Sequence, residues 1–259
     1  MTVDVGRWAN DLRAARARCE PIAPITDAER ELSLDDAYAI QEAALEGAIA
    51  DGRRVVGAKV GLTSTAKQQQ MGVDEPVFGW LTDDMWLPLE TPVQLDAMIH
   101  PRVEPEIVFL LADELAGPGV SPHDVLTATD SMCCGLEVID SRYESFRFTL
   151  PDTVADNTSA AGFSLGLRRC APDSIDLALV GVLLEVGSDL VETAAGAACL
   201  GHPAEAVAAL ANFVGARGRR LEAGSIVLSG GLTAAVPLAA GAPVSATFGH
   251  LGAVAVRGV

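Results

Sequence analysis

Apolar residues recur at two different spacings along the chain, and the change falls near residue 54. Before it they recur every three or four positions, first in residues 4–20 and again from Ser33 to the Asp51-Gly52 turn. This spacing places apolar side chains on one face of a helix. Ser33 is also a suitable N-cap for the second helix. The first fifty residues are therefore predicted to form a helical layer.

After residue 54, short runs rich in Val, Ile and Leu alternate with Gly and Pro, a pattern that predicts β-strands. These runs lie at residues 54–62, 106–112, 136–140, 177–186, 225–231 and 243–256. One helix interrupts them, beginning at Pro203. Because strands and helices do not alternate regularly, a doubly wound parallel sheet is disfavoured. The predicted fold class is α+β: an N-terminal helical segment (1–53) packed on a curved, largely antiparallel sheet that forms one structural unit (54–259).

The amino-acid composition excludes some classes of binding partner. The 259 residues carry 35 Asp and Glu against 18 Lys and Arg, a formal net charge of −17. Phosphate-rich partners would be repelled, so neither nucleic acid nor an anionic membrane is expected to bind. No run of ~18 uncharged apolar residues and no signal-peptide pattern occurs, which predicts a cytoplasmic protein. The five cysteines lack CxxC spacing, which favours reduced thiols over a disulfide framework or a zinc site.

The segment HPRVEPEIVFLL, residues 100–111, carries the most informative polar pattern. In an extended strand alternate side chains share a face, so Glu104 and Glu106 project together, ~7 Å apart. Two carboxylates at this spacing repel each other unless a proton or cation lies between them. Hard cations such as Mg²⁺ and Mn²⁺ prefer oxygen ligands of this kind. Pro105 cannot donate a ladder hydrogen bond, so the strand is predicted to be at an edge or locally irregular.

Two further charged residues stand in apolar surroundings. Glu137, in the run CCGLEVID, needs a partner: a shared metal or, alternatively, Arg142 or Arg102. Lys59, in VVGAKVGLTS, either faces solvent or binds a substrate carboxylate and moves a proton. The spacing alone leaves both alternatives open. Two runs of small and hydroxyl residues are either ordinary turns or places where backbone amides approach a small anion: residues 155–162 and 228–237.

Six segments occur in this order along the chain: GAKVGLTSTAKQQQMGV, HPRVEPEIVF, LEVIDSRYESF, VADNTSAAG, LGHPAEAVAALAN and LSGGLTAAVPLAAG. Together they resemble the fumarylacetoacetate hydrolase superfamily, and within it the hydratase/decarboxylase branch from meta-cleavage degradation of aromatic compounds. The similarity runs from about Leu34 to the C-terminus. The resemblance implies a mixed β-roll preceded by helices. It also implies that Glu104, Glu106 and Glu137 bind Mg²⁺ or Mn²⁺, which would chelate the carboxylate and 2-oxo group of a substrate.

The same resemblance implies roles for individual residues and partners. Lys59 matches the active-site lysine of the family, and Ser159, Thr233 and Leu62 are expected to contact the substrate. Members of the family assemble as homo-oligomers, so a homo-oligomer is expected. Decarboxylases and hydratases of the branch associate with each other, so a partner hydratase is expected too.

The branch contains two lyase activities. One decarboxylates 2-oxo-3-hexenedioate to 2-hydroxypenta-2,4-dienoate, and the other hydrates that product. IDSRYESF and TSTAKQQQMGV resemble the decarboxylases, although QQQMGV and DTVADN also resemble hydratases. Hydratases carry Asp in a PDFG or PDYG motif, where this chain has Val77, and activating water benefits from a carboxylate base. Decarboxylation is therefore predicted; the hydratase is the alternative, and a non-catalytic partner of such an enzyme is the second alternative.

Overall fold

The computed structural model describes residues 3–64, 68 and 75–259. Its α-helices are α1 (Val5–Arg18), α2 (Ile25–Ala28), α3 (Leu34–Ala50), α4 (Pro122–Ala128), α5 (Leu150–Ala155) and α6 (Pro203–Ala216). Its strands are β1 (Val55–Gly61), β2 (Val77–Thr82), β3 (Arg102–Leu111), β4 (Thr129–Ile139), β5 (Ala160–Leu165), β6 (Gly181–Val186), β7 (Asp189–Ala195), β8 (Ile226–Leu228), β9 (Val236–Pro237), β10 (Val244–Phe248) and β11 (Gly252–Val256).

The N-terminal residues form the predicted helical layer. Ser33 caps α3 in a reciprocal capping box, as its position in the sequence indicates. The apolar faces of α1 and α3 are buried, Trp8 and Ile40 among them, and they pack against Tyr143 and Val154 from later in the chain. The helical segment and the strand-rich part therefore share one hydrophobic cluster.

The strands of the described chain form two sheets. One has the strand order β2-β1-β8-β3-β4-β5, with β9 also paired to β3, and the other has the order β11-β10-β6-β7. Among the described strands every pairing is antiparallel except that of β1 with β8. Side chains from both sheets and from α6 form a common core. This arrangement confirms the α+β class with a curved, largely antiparallel sheet.

Helix α6 begins at Pro203, as predicted. By length and composition alone the stretch Gly196–Ala216 could cross a membrane, but half of it is buried inside the protein. Val207 and Leu210 of this helix are core residues, so its apolar character is explained by packing within the fold.

Strand β3 is not at an edge, because β4 lies on one side of it and β8 and β9 lie on the other. The predicted edge position is wrong, whereas the predicted irregularity is present. β8 pairs only with residues 108–110 and β9 only with residues 102–103. Opposite the gap, the backbone N–H of Leu232 donates to the carbonyl of Pro105 at 3.0 Å. Since Pro105 has no N–H, the interrupted ladder leaves no donor unsatisfied there.

Candidate metal centre and active site

Strands β3 and β4 bring the three predicted carboxylates together. Glu104 lies directly opposite Glu137 in the antiparallel register, and Glu106 follows two residues later on the same face. One oxygen from each carboxylate lies within 4.8 Å of the others. Glu106 and Glu137 are fully buried, whereas Glu104 is 8% exposed. The cluster is therefore enclosed on the Glu106 side and most accessible beside Glu104.

Burial makes this cluster costly without a cation. Burial, and then the charge of Glu137, raises the pKa of Glu106 well above its usual range. Burial also raises the pKa of Glu137, and the nearby Lys59 opposes that shift. Glu106 Oε2 accepts a hydrogen bond from the backbone N–H of Gly230 at 2.7 Å. Among the described residues, however, neither Glu106 Oε1 nor Glu137 Oε1 has a hydrogen-bond donor.

The two carboxylate oxygens without a donor, Glu106 Oε1 and Glu137 Oε1, show whether the site fits a metal ion. Buried carboxylate oxygens without donors require a compensating positive charge. Three carboxylates within reach of one point offer hard oxygen ligands, which Mg²⁺ and Mn²⁺ prefer over nitrogen or sulfur ligands. The residues present therefore fit a divalent cation held by Glu104, Glu106 and Glu137.

Lys59 lies beside the cluster. It projects from β1 and is only 3% exposed, so the alternative of a solvent-facing lysine is wrong. Its Nζ lies 3.0 Å from Glu137 Oε2 and donates a hydrogen bond to the carbonyl of Thr158 at 3.2 Å. The amine is thus held between a carboxylate of the cluster and a backbone carbonyl.

Neither arginine that was considered as the partner of Glu137 takes that role. Arg142 pairs with Asp156. The guanidinium carbon of Arg102 lies 4.1 Å from the centroid of the Phe146 ring. Among the described residues, Lys59 is the cation that neutralises part of the charge on Glu137.

The carbonyl that Lys59 contacts belongs to an unusual turn. Asn157, Thr158 and Ser159 have φ values of 50°, 50° and 59°, and left-handed backbone costs a residue with a Cβ about 1 kcal/mol or more. Gly79 gives the turn room, because a Cβ there would lie 2.6 Å from Thr158 Oγ1. The Asn157 side chain fixes the turn to β2 through hydrogen bonds with Trp80 N at 2.8 Å and Trp80 O at 2.9 Å.

The three predicted substrate contacts lie on different segments. Ser159 is buried in the turn, and its hydroxyl donates to Asp156 Oδ2 at 3.3 Å. Thr233 lies in the segment that follows β8, and its hydroxyl donates to Ala234 O at 2.9 Å. Leu62 directly follows β1 with φ 56° and packs against the N-terminal hydrophobic cluster. Contact of these residues with a substrate stays a prediction.

The sequence marked the run 228–237 as a turn or a place where backbone amides approach a small anion, but it did not predict that two glycines of this run lie against Thr63 and Glu104. A Cβ on Gly231 would lie 2.7 Å from the carboxyl carbon of Glu104, and one on Gly230 would lie 2.3 Å from Thr63 Oγ1. Thr63 is 1% exposed, and its hydroxyl has no partner among the described residues. This buried hydroxyl beside Gly230 is a further candidate for contact with a ligand. The only signal for it in the sequence is the Gly-Gly pair itself.

One predicted motif, TSTAKQQQMGV at 63–73, lies outside the described residues apart from Thr63, Ser64 and Gln68.

Comparison with known proteins finds relatives that match most of the chain. No family model matches it. It is 41% identical over 249 residues to the 4-oxalocrotonate decarboxylase of Pseudomonas sp. (strain CF600), covering 96% of this chain and 94% of that protein. It is also 43% identical over 224 residues to the 2-keto-4-pentenoate hydratase of Paraburkholderia xenovorans (strain LB400), covering 86% of this chain and 83% of that protein.

Solved structures extend the comparison to the fold. The 4-oxalocrotonate decarboxylase from Pseudomonas putida G7, complexed with magnesium and adipate, superposes with a TM-score of 0.96 at 39% identity, covering 98% of this chain and 97% of that chain. A putative fumarylacetoacetate hydrolase family protein from Yersinia pestis CO92 has a TM-score of 0.59 at 15% identity, covering 78% and 92% of the two chains. At that identity the likeness concerns the fold alone.

Proposed function

We propose a reaction for this chain from the premise that it belongs to the fumarylacetoacetate hydrolase superfamily, in the branch of the 4-oxalocrotonate decarboxylases and 2-keto-4-pentenoate hydratases. The chain is a divalent-metal-dependent lyase, and its reaction is the decarboxylation of 2-oxo-3-hexenedioate (4-oxalocrotonate) in the meta-cleavage degradation of aromatic compounds. One observation carries the proposal. Glu104, Glu106 and Glu137 converge on one point with Lys59 Nζ 3.0 Å from Glu137 Oε2.

The reaction moves negative charge onto an oxygen of the substrate, and the active site must stabilise that charge. The bond between carbon 5 and the departing carboxylate (carbon 6) breaks, and CO₂ leaves. The electron pair left on carbon 5 moves through the double bond to the oxygen on carbon 2. The chemistry that a divalent cation supplies when bound is Lewis-acid stabilisation of charge on that oxygen.

Side chains of the protein would hold the cation, the substrate and the proton that is transferred. Glu104, Glu106 and Glu137 would hold the cation. Lys59 Nζ carries a proton beside the developing charge and delivers it, which completes 2-hydroxypenta-2,4-dienoate. Ser159, Leu62 and Thr233 are proposed to contact the substrate. The burial of Glu106, Glu137 and Lys59 keeps water away, which strengthens each of these electrostatic interactions.

The surroundings of Lys59 favour decarboxylation over hydration. Val77, which stands where hydratases are expected to carry Asp, is 4% exposed and pairs with Gly61 at the end of β1. A Cβ on Gly61 would lie 3.1 Å from Val77 Cγ2 and 3.8 Å from Lys59 Nζ, so the valine methyl group and the amine both border the space beside Gly61. Hydration needs a base for water, and a valine cannot provide one, whereas decarboxylation needs no attack by water.

The test is an assay of both reactions with one enzyme preparation. With 2-oxo-3-hexenedioate and Mg²⁺, we expect CO₂ release that stops when EDTA is added. Turnover confined to hydration of 2-hydroxypenta-2,4-dienoate would contradict the decarboxylase assignment and support the hydratase alternative. A chain that binds no Mg²⁺ or Mn²⁺ by calorimetry and acts on neither substrate would support the second alternative, a non-catalytic partner.

The localisation and the oligomeric state of the enzyme are proposed from the same family membership. We expect a soluble, cytoplasmic homo-oligomer that also binds a partner hydratase. Apolar side chains left on the surface are consistent with an oligomer, since Leu183 and Leu190 on β6 and β7 are 46% and 56% exposed. Light scattering coupled to size-exclusion chromatography tests it, and a monomer at micromolar concentration would contradict it.

A further inference from the structure

A buried ion pair lies behind the turn that Lys59 contacts. Arg142 and Asp156 are 5% and 1% exposed, and the guanidinium Nε donates to Asp156 Oδ1. The other two guanidinium nitrogens donate to backbone carbonyls. Nη1 reaches Asp140 O at 2.8 Å and Ala160 O at 3.0 Å, and Nη2 reaches Asp156 O. A single arginine therefore binds the backbone both before and after the turn at 157–159.

Asp156 fixes the turn from its other side. Its carboxylate accepts from the backbone N–H of Arg142 at 3.1 Å and from the hydroxyl of Ser159 at 3.3 Å. The backbone of Ser159 is held too, because its N–H donates to Asp156 O at 2.9 Å and its carbonyl accepts from Asp140 N at 2.8 Å. Three consecutive left-handed residues persist only where the surroundings over-determine them. This pair supplies that constraint together with the hydrogen bonds between Asn157 and Trp80.

The constraint on the turn also determines the position of the Lys59 amine. In the part of the chain that the structure describes, Lys59 Nζ is held by Thr158 O, at the centre of the turn, and by Glu137 Oε2. A lysine has a flexible four-carbon stem and no preferred direction of its own. If Thr158 O withdraws, the attraction of the buried carboxylates, Glu137 at 3.0 Å and the nearby Glu106, draws the amine away from the turn. A displacement of about 1 Å from the reacting position can lower a rate by about 100-fold.

We propose that Arg142 and Asp156 are positioning residues for the reaction. They hold the 157–159 turn, which keeps Thr158 O in place and thereby aims Lys59 Nζ at the substrate. The proposal rests on the proposed function in one respect, namely that Lys59 takes part in turnover. It concerns neither metal binding nor the choice between decarboxylation and hydration.

The first test is Arg142→Lys, which keeps the charge but loses the planar fork that binds several carbonyls at once. We expect kcat to fall at least 30-fold, with KM and the calorimetric Kd for Mn²⁺ within threefold of wild type. Arg147→Lys is the matched control, because Arg147 forms an exposed pair with Asp27 at 2.6 Å; its kcat should stay within twofold. Equal losses in kcat and in Mn²⁺ affinity would overturn the proposal, since they would indicate general damage to the site.

A double-mutant cycle separates positioning from a merely structural role. If Arg142 acts through Lys59, Arg142→Lys should change the single-turnover rate less than threefold in a Lys59→Met background. A multiplicative loss in that background would contradict the proposal, because independent effects add in free energy.

Gly79→Ala tests the turn without touching the ion pair. The added Cβ would meet Thr158 Oγ1 at 2.6 Å and Asn157 O at 2.8 Å, and should push the turn away from Lys59. Gly162→Ala on β5 is the control, because its Cβ meets the movable side chain of Leu87 at 2.7 Å. We expect kcat to fall at least tenfold for Gly79→Ala and to stay within threefold for Gly162→Ala. Equal kcat in the two variants would count against the proposal.

A crystal structure of the Arg142→Lys variant distinguishes failure of this proposal from failure of the proposed function. We expect Lys59 Nζ to lie beyond hydrogen-bond distance of Thr158 O, more than about 3.5 Å away, whichever reaction the enzyme catalyses. An unchanged contact would overturn the positioning role even if the wild-type chain is a decarboxylase. A lost contact in an enzyme that acts on neither substrate would instead refute the proposed function alone.

Discussion

At the scale of single residues, Glu106 is the carboxylate whose ionisation is most strongly opposed in the proposed metal centre. Its carboxyl group is buried, and burial together with Glu137 raises its pKa above the ordinary value of 4.5. The folded, metal-free protein therefore binds a proton here more tightly than the unfolded chain does. By linkage, this residue stabilises the fold below pH 4.5, and that contribution is lost as pH rises towards the raised pKa. A bound dication would offset the loss.

Replacement of Glu106 by Gln should therefore stabilise the metal-free protein while it destroys the metal site. In EDTA we expect Glu106→Gln to unfold at a higher temperature than wild type, by about 2–4 °C for each kcal/mol of repulsion relieved. The difference should increase from pH 5 to pH 8. Differential scanning calorimetry measures it, and turnover with Mg²⁺ should fall at least 100-fold.

The exposed Glu192 on β7 provides the control for Glu106→Gln. Glu192→Gln should shift the unfolding temperature by at most about 2 °C, and equally at pH 5 and pH 8, because surface substitutions change stability by only about 0.5 kcal/mol. A Glu106→Gln protein that is less stable than wild type at pH 8 without metal, or that turns over normally with Mg²⁺, would contradict the electrostatic account.

The sequence predicted which carboxylates belong to the site, but it did not predict which cation lies beside Glu137. Strand alternation suffices to pair Glu104 with Glu106, and a carboxylate in an apolar run marks Glu137 as needing a partner. The actual cation beside Glu137 is Lys59, 78 positions earlier in the chain. Which of several cations reaches a buried carboxylate depends on strand register across the sheet, and the spacing of residues does not encode that.

At the scale of elements, the centre depends on an interruption in the β3 ladder. Where residues 104–107 have no partner strand on one side, the segment after β8 crosses the gap and brings Gly230 and Gly231 against the carboxylates. Gly230 has φ +116° and donates its N–H to Glu106. The backbone of this segment therefore orients one of the three proposed metal ligands.

Gly230→Ala should weaken metal binding through this contact. The added Cβ would lie 2.3 Å from Thr63 Oγ1, and the backbone must shift away from Glu106. We expect the calorimetric Kd for Mn²⁺ to rise at least tenfold. Gly241→Ala is the control, because Gly241 also has a positive φ, +87°, but has no atom within 4 Å of the added Cβ. It should lose stability without any change in Kd; an equal rise in Kd for both variants would argue against a role for the segment.

The long helices with an apolar stripe and the strands rich in Val, Ile and Leu were predicted, whereas several elements with neither pattern were missed. α1, α3 and α6 each contain 14 or more residues with a repeated apolar stripe. β7 was missed because nearly all of its residues are exposed and it shows no apolar alternation. β2 and β5 are six residues each and contain Gly or Ala, which weaken a strand signal. Pro105 suggested an edge strand because the sequence does not show that partner strands stop short of it.

At the scale of the whole molecule, the helical segment packs on the strand-rich part. Gln41 on α3 donates to Phe78 O and Val154 O, both at 2.9 Å. Tyr143, next to Arg142, is fully buried in the cluster that includes the N-terminal helices. The division at residues 53 and 54 stays a prediction, and these contacts indicate that the two parts do not fold separately.

A chain that begins at residue 54 should therefore not form a stable domain. Removal of residues 1–53 would expose Tyr143 and Val154 and leave two buried carbonyls without donors, each costing about 1–3 kcal/mol. We expect it to bind the dye ANS and to show no cooperative thermal transition. A soluble fragment with a cooperative transition and wild-type Mn²⁺ affinity would contradict this expectation.

The most direct test of the account is a crystal structure of the protein grown with Mn²⁺, with anomalous diffraction used to locate the ion. We predict one strong anomalous peak between β3 and β4, with a carboxylate oxygen from each of Glu104, Glu106 and Glu137 at about 2.1 Å from it. An ion bound elsewhere, or these three carboxylates turned away from one another around an empty space, would contradict the account.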